Sequence, residues 1–118
     1  MANPNIVNVA TINGKTDVFA LTTTETNLVT ATANTVFKIN SILVSNIDGS
    51  SAADVTIKYN DGSNDRAIAS TISIPADATL SVIDKSTSFY LEENEIIKGT
   101  ASANSDLECL ISYEIISD

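Results

Sequence analysis

Side chains alternate between apolar and polar along much of this chain. A period of two calls for an extended strand with one dry face and one wet face. The alternation is cleanest in DLECLISYEIIS, residues 106–117, where Leu107, Cys109, Ile111, Tyr113 and Ile115 share a side. In DVTIKYN, residues 54–60, Val55, Ile57 and Tyr59 point one way and Thr56 and Lys58 the other. AIASTISIP, residues 67–75, sets Ile68, Ile72 and Ile74 against Ala67, Ala69, Thr71 and Ser73. Pro75 has no backbone donor and ends that run. No window carries an apolar stripe at i, i+3, i+4 and i+7, and the abundant Ile, Val and Thr suit pleated surfaces.

One run breaks the rule. In VFKINSILVSNI, residues 36–47, strict alternation puts Phe37, Ile39, Leu43 and Ile47 on one side and Val36, Ile42 and Val44 on the other. A strand apolar on both sides lies between two layers or touches a neighbouring subunit. NIDGSSAAD (46–54) and NDGSND (60–65) carry Asp-Gly, which accepts the backbone of tight turns. ADA (76–78), DKSTS (84–88) and ASANSD (101–106) are further breaks. The Thr- and Asn-rich first 35 residues are expected to hold strands at Asp17–Thr22 and Asn27–Thr32, and residues 1–14 an extended arm or a frayed terminus. Many short strands between loops predict an all-β fold: one antiparallel β-sandwich over residues 1–118, jelly-roll-like.

Composition narrows the function classes. A net charge of −9 with only six Lys and Arg repels phosphate backbones and anionic lipid surfaces, so neither nucleic acid nor membrane is an expected partner. The sole cysteine, Cys109, cannot form an internal disulfide, which fits a reducing site of synthesis. The opening MANPNIVNVATING lacks a basic segment followed by an apolar one, so no signal peptide or anchor is expected. Aromatics are scarce, three Phe and three Tyr without Trp, so the core must be aliphatic and few platforms are available for sugar stacking.

Candidate chemistry is thin. LEENEIIKG, residues 91–99, gathers Glu92, Glu93 and Glu95. Adjacent Glu92 and Glu93 point to opposite faces of an extended segment, and Asn94 tolerates the left-handed backbone of a turn. The reading is a solvated turn tip after which Ile96 and Ile97 restart a strand, with a weak cation site as the alternative. NDGSND resembles a calcium loop only loosely, because it lacks the acid ladder and distal Glu. Cys109 has no histidine to activate it and sits on an apolar face as filler. With four glycines in the whole chain, Gly14, Gly49, Gly62 and Gly99, neither a P-loop nor a dinucleotide fingerprint forms, and no G-x-S-x-G elbow occurs. An enzyme would need paired carboxylates such as Glu93 and Asp106 to converge. No catalytic residue, metal ligand or cofactor is therefore assigned.

What remains is surface. The nominal wet face of residues 106–117 carries Leu110 and Ile116, more aliphatic area than solvation requires. With Val36, Ile42 and Val44 they form a candidate interface, the competing explanation being burial within one sandwich. The stretches MANPNIVNV, VFKINSILVSNIDGSSAADVTIKY and IASTISIPADATLSVIDKSTSFYLEENEIIKGTASANSDLECLISYE resemble a family of small virion structural proteins of T4-like marine cyanophages and related phages. The resemblance covers most of the chain. It departs at the turn after LEE, where the family carries glycine and then an acid and this chain has Asn94 and Glu95. It implies a non-enzymatic particle component, assembled in the host cytoplasm and located in the virion. Its partners would be copies of itself, a trimer among the options, and other virion proteins. A capsid-associated (decoration) role is preferred to a tail or fibre position, with a receptor- or carbohydrate-binding module as the rival.

Overall fold

The computed structural model describes residues 4–118. Among them run nine strands: β1 (Thr11–Ala20), β2 (Thr26–Thr30), β3 (Thr35–Asn46), β4 (Ala53–Asn60), β5 (Asp65–Ile74), β6 (Thr79–Ile83), β7 (Phe89–Leu91), β8 (Ile96–Ala101) and β9 (Leu107–Ser117). They form two antiparallel sheets. Sheet A has the order β1-β9-β3-β6, with β7 also on β3, and sheet B the order β2-β8-β4-β5. The chain is thus the antiparallel β-sandwich that the alternation predicts. β6 and β7 lie end to end along β3, and β7 pairs Phe37–Ile39 while β6 pairs Ile42–Ser45. Between them a 3-10 turn, Lys85–Thr87, is capped by Asp84, whose carboxylate accepts the Ser86 N–H at 2.9 Å.

The inner faces interlock as one aliphatic core. Sheet A supplies Phe37, Ile39, Ile42, Val44, Leu91, Leu107, Cys109, Ile111 and Tyr113. Sheet B supplies Val29, Val55, Ile57, Ala69, Ile74, Ile97 and Ala101. Tyr113 stacks on Phe37 with ring centroids 5.2 Å apart, and its hydroxyl donates to Asp17 Oδ2 at 2.6 Å. Gly99 faces inward, and a Cβ there would meet Leu28 Cδ1 at 2.7 Å, so the missing side chain lets β8 approach Leu28 and Leu21.

Register shifts in β3 and β5 explain where strict alternation misleads. In β3 the register slips between Ile39 and Ser41, leaving Asn40 unpaired. The extra residue flips the faces that follow. Phe37 and Ile39 point inward as expected, but Ile42 and Val44 then point inward too, and Leu43 and Ile47 turn out. β5 is interrupted twice, and Thr71 adopts φ 49° with its N–H donating to Thr56 Oγ1. Ala69 therefore lies buried opposite Ile57, while Ile72 pairs with the buried Val55 on the core side but stays 39% exposed on this border strand.

Of the expected N-terminal arm, residues 1–3 lie outside the described residues. Pro4 is buried against the sheet, and Thr11–Gly14 already belong to β1. That strand starts six residues before the expected Asp17.

Candidate functional site: an acidic turn, two outer faces and an open edge

The acidic turn is a clasp. Asn94 takes φ 67°, the left-handed backbone expected of it. Its N–H donates to the Ala31 carbonyl at 2.9 Å, and the Ala31 N–H donates to the Glu95 carbonyl at 3.0 Å. The Glu93 carboxylate accepts the backbone N–H of Asn34, itself at φ 61°. One correction concerns Glu95, expected at a solvated tip. It is 5% exposed and accepts the Glu92 N–H at 2.7 Å. It also accepts from the Tyr59 hydroxyl, and burial together with this carboxylate pushes the Tyr59 phenol well above its usual range. The Glu93 and Glu95 carboxylates thus bind backbone and phenol. Among the described residues no three His, Cys, Asp or Glu side chains are placed to hold a metal ion.

The other acids behave as turn formers. Asp48 accepts the Ser50 N–H at 2.8 Å, and Asp61 accepts the N–H groups of Ser63 and Asn64. These donors hold both carboxyls below the usual carboxylate range. Asn46 is buried and saturated: its amide donates to the carbonyls of Ser51 and Ile74, and its oxygen accepts the Asp48 N–H. Glu93 and Asp106 do not converge. Asn34, which holds Glu93, adjoins Thr35, the partner of Ser117, whereas Asp106 precedes Leu107 at the other end of β9. Eleven residues of strand separate them, roughly 30 Å. Cys109 is fully buried, which pushes its thiol up to about 12.

The outer faces of the two sheets differ. On sheet B the cross-strand rows read Thr100–Thr56, Lys98–Lys58 and Ile96–Asn60. The two facing lysines are offset by flanking acids, Lys58 to Glu25 at 2.9 Å and Lys98 to Asp65 at 3.1 Å. On sheet A the rows cross three strands: Ile12–Ile116–Val36, Gly14–Glu114–Lys38, Thr16–Ser112–Ser41, Val18–Leu110–Leu43 and Ala20–Glu108–Ser45. Two of these five rows are wholly aliphatic, and Val18 is 63% exposed.

The sequence-derived interface residues divide among three places. Ile42 and Val44 are 0% exposed in the core, which corrects their assignment to a surface; the Asn40 bulge is the reason. Val36 and Ile116 are on the outer face but buried. Pro4 and Ile6 lie with Val36, Tyr90 and Glu92 around a depression of about 360 Å³. Leu110 is half-buried at the centre of the Val18–Leu43 row. Sequence reasoning missed Val18 and Leu43. The signal that could have found Leu43 is the Asn40-Ser41 pair, two polar residues in succession inside an aliphatic strand.

The open edge is the last feature. β1 pairs with β9 over ten consecutive residues without a register shift, and among the described residues its other side has no strand partner.

No family model matches the chain, and no curated protein does. Solved structures with the same fold exist. One is a protein from Bacillus endospore appendages, a family of disulfide-linked pili. It is 11% identical, with a TM-score of 0.54 over 92% of this chain and 88% of that one. Another is a chain of the acid-stable capsid of Helicobacter pylori bacteriophage KHP30. It is 8% identical, with a TM-score of 0.53 over 92% of this chain and 89% of that one. At such identities the likeness shows a shared fold.

Proposed function

We propose that this chain is a non-enzymatic structural subunit of a phage virion, acting by packing against copies of itself and other virion proteins. A capsid-associated (decoration) role is the preferred placement. The observation that carries the reading is the aliphatic row Val18–Leu110–Leu43, which crosses sheet A on the side away from the core. A wet face has no need of such a row, whereas a subunit contact does. The fold neighbours come from a pilus and a capsid, both multi-subunit structures, and that context supports the reading. The interleaved order β1-β9-β3-β6 over β2-β8-β4-β5 supports a jelly-roll assignment within the sandwich. Membership among small virion proteins of T4-like marine cyanophages rests on the sequence resemblance. Copies of this chain would associate without disulfides, because Cys109 is fully buried.

The test is light scattering across a concentration series, followed by electron microscopy of the concentrated protein. Reversible assembly into discrete oligomers supports a capsid-associated role, and filaments would move the reading to a tail or fibre. A strict monomer at high micromolar concentration overturns it.

A further inference from the structure

Five strands border the sheets among the described residues, and four carry devices that discourage further pairing; β7 is only three residues long. β2 and β6 are five residues long, and each has a register shift. β5 is ten residues long but shifts register twice and carries Thr71 at positive φ. Short or bulged edges resist adding a strand. β1 has ten residues, no bulge and an open side. Pro4 and Ile6 lie toward Tyr90 and Val36, across β9 from that side.

The backbone of β1 is set to pair. The Leu21 N–H donates to the Leu107 carbonyl at 2.9 Å, continuing the β1–β9 ladder. By the antiparallel alternation, odd-numbered residues of β1 direct their N–H and C=O toward β9. Ile12, Gly14, Thr16, Val18 and Ala20 direct theirs to the open side.

We propose that β1 pairs antiparallel with β1 of a second copy of this chain about a two-fold axis at Thr16, joining two sheets A into one continuous sheet. The inference rests on the self-association reading above and assigns its contact and register. A two-fold axis normal to the sheet keeps both outer faces on the same side only if it passes through a residue. Placed at Lys15, it sets two lysines opposite each other; placed at Asp17, two aspartates. Placed at Thr16, it sets Lys15 opposite the partner's Asp17 and Asp17 opposite the partner's Lys15. These fall at the non-hydrogen-bonded positions, where facing side chains come closest. In the same register Val18 lies opposite the partner's Gly14. Above Gly14 a Cβ would meet nothing within 4 Å, so the protruding Val18 side chain has room there. The two Val18–Leu110–Leu43 rows then lie on one joint surface.

The charge pattern supplies the experiment. Lys15→Asp sets two acids opposite each other across the axis on both sides, and Asp17→Lys sets two lysines. Each variant alone should self-associate at least about tenfold more weakly than the parent in sedimentation velocity. An equimolar mixture restores opposite charges at both positions, and should recover heterodimer at near-parental affinity. Asp17→Lys also removes the Tyr113 hydroxyl contact, so Thr16→Pro is the companion variant. It removes an outward-facing N–H while sparing the β9 ladder, and should dissociate the dimer with an unchanged circular dichroism spectrum. Parental association in Lys15→Asp and Thr16→Pro would overturn the pairing and leave the assembly reading standing. Folded, monomeric single variants that fail to recover on mixing would overturn the register. A parental protein that never associates would overturn both readings.

Discussion

The outer faces of sheets A and B are built on the same pleat and back the same core, yet they differ in chemistry. Sheet B turns Thr56, Lys58, Lys98 and Thr100 outward and balances its lysines with Glu25 and Asp65. Sheet A turns Val18, Leu43 and Leu110 outward in a row, flanked by rows containing Ser41, Ser112, Glu108 and Ser45. Period two specifies which side chains leave the core; it leaves open whether those side chains want water. The difference between the faces is therefore not dictated by the fold.

The comparison can be pressed from several directions. The inner faces should be equivalent: Ile57→Ala on sheet B and Ile42→Ala on sheet A should each lower stability by about 2–5 kcal/mol in urea unfolding, because each leaves a cavity in a closed core. A large loss in one and none in the other would mean that the sheets do not share one core. Gly99→Ala should cost about 1 kcal/mol, since the new methyl must displace the Leu28 and Leu21 termini. Leu110→Ser should weaken self-association by about tenfold while changing stability by about 1 kcal/mol or less. Thr100→Leu, which plants an aliphatic on sheet B, should leave association unchanged by light scattering. If it promotes association as strongly, the sheet A row has no special role.

The smallest effect is pH-dependent. Asp48, Asp61 and Asp84 have folded-state values below their ordinary ones, through hydrogen bonds from neighbouring serines, threonine and backbone amides. Their contribution is fully present above the unfolded carboxylate value, about pH 4, and is lost as pH falls through the lowered folded values. Thermal melts should therefore decline below that point, and Asp84→Asn should flatten its share of the decline.

Much of the sandwich was legible because its central strands are wet on one side. β4 and β9 lie within a residue of the ranges their alternation marks. β1 was half hidden for the opposite reason: TINGKT is exposed on both faces at the sheet edge, so no burial imposes a pattern on it. β6 and β7 were missed because five and three residues are too short to display a period. Of the candidate interface residues, Leu110 lies on the outer face of sheet A, whereas Ile42 and Val44 lie in the core, because the Asn40 bulge depends on pairing with a strand some seventy residues away, which local pattern cannot register. The acidic turn was read from Asn94, but the burial of Glu95 beneath Tyr59 is a tertiary event.

The position of β9 between β1 and β3 has a consequence for synthesis. Thr11 waits for Ser117, so both long neighbours stay without their shared partner until the final strand of this sequence leaves the ribosome. Sheet A must then close late and through distant contacts, which makes folding slow and leaves aliphatic surface open to early encounters between nascent chains. A ribosome stalled before residue 107 would hold a half-built sandwich, with β1 and β3 both lacking the strand that joins them.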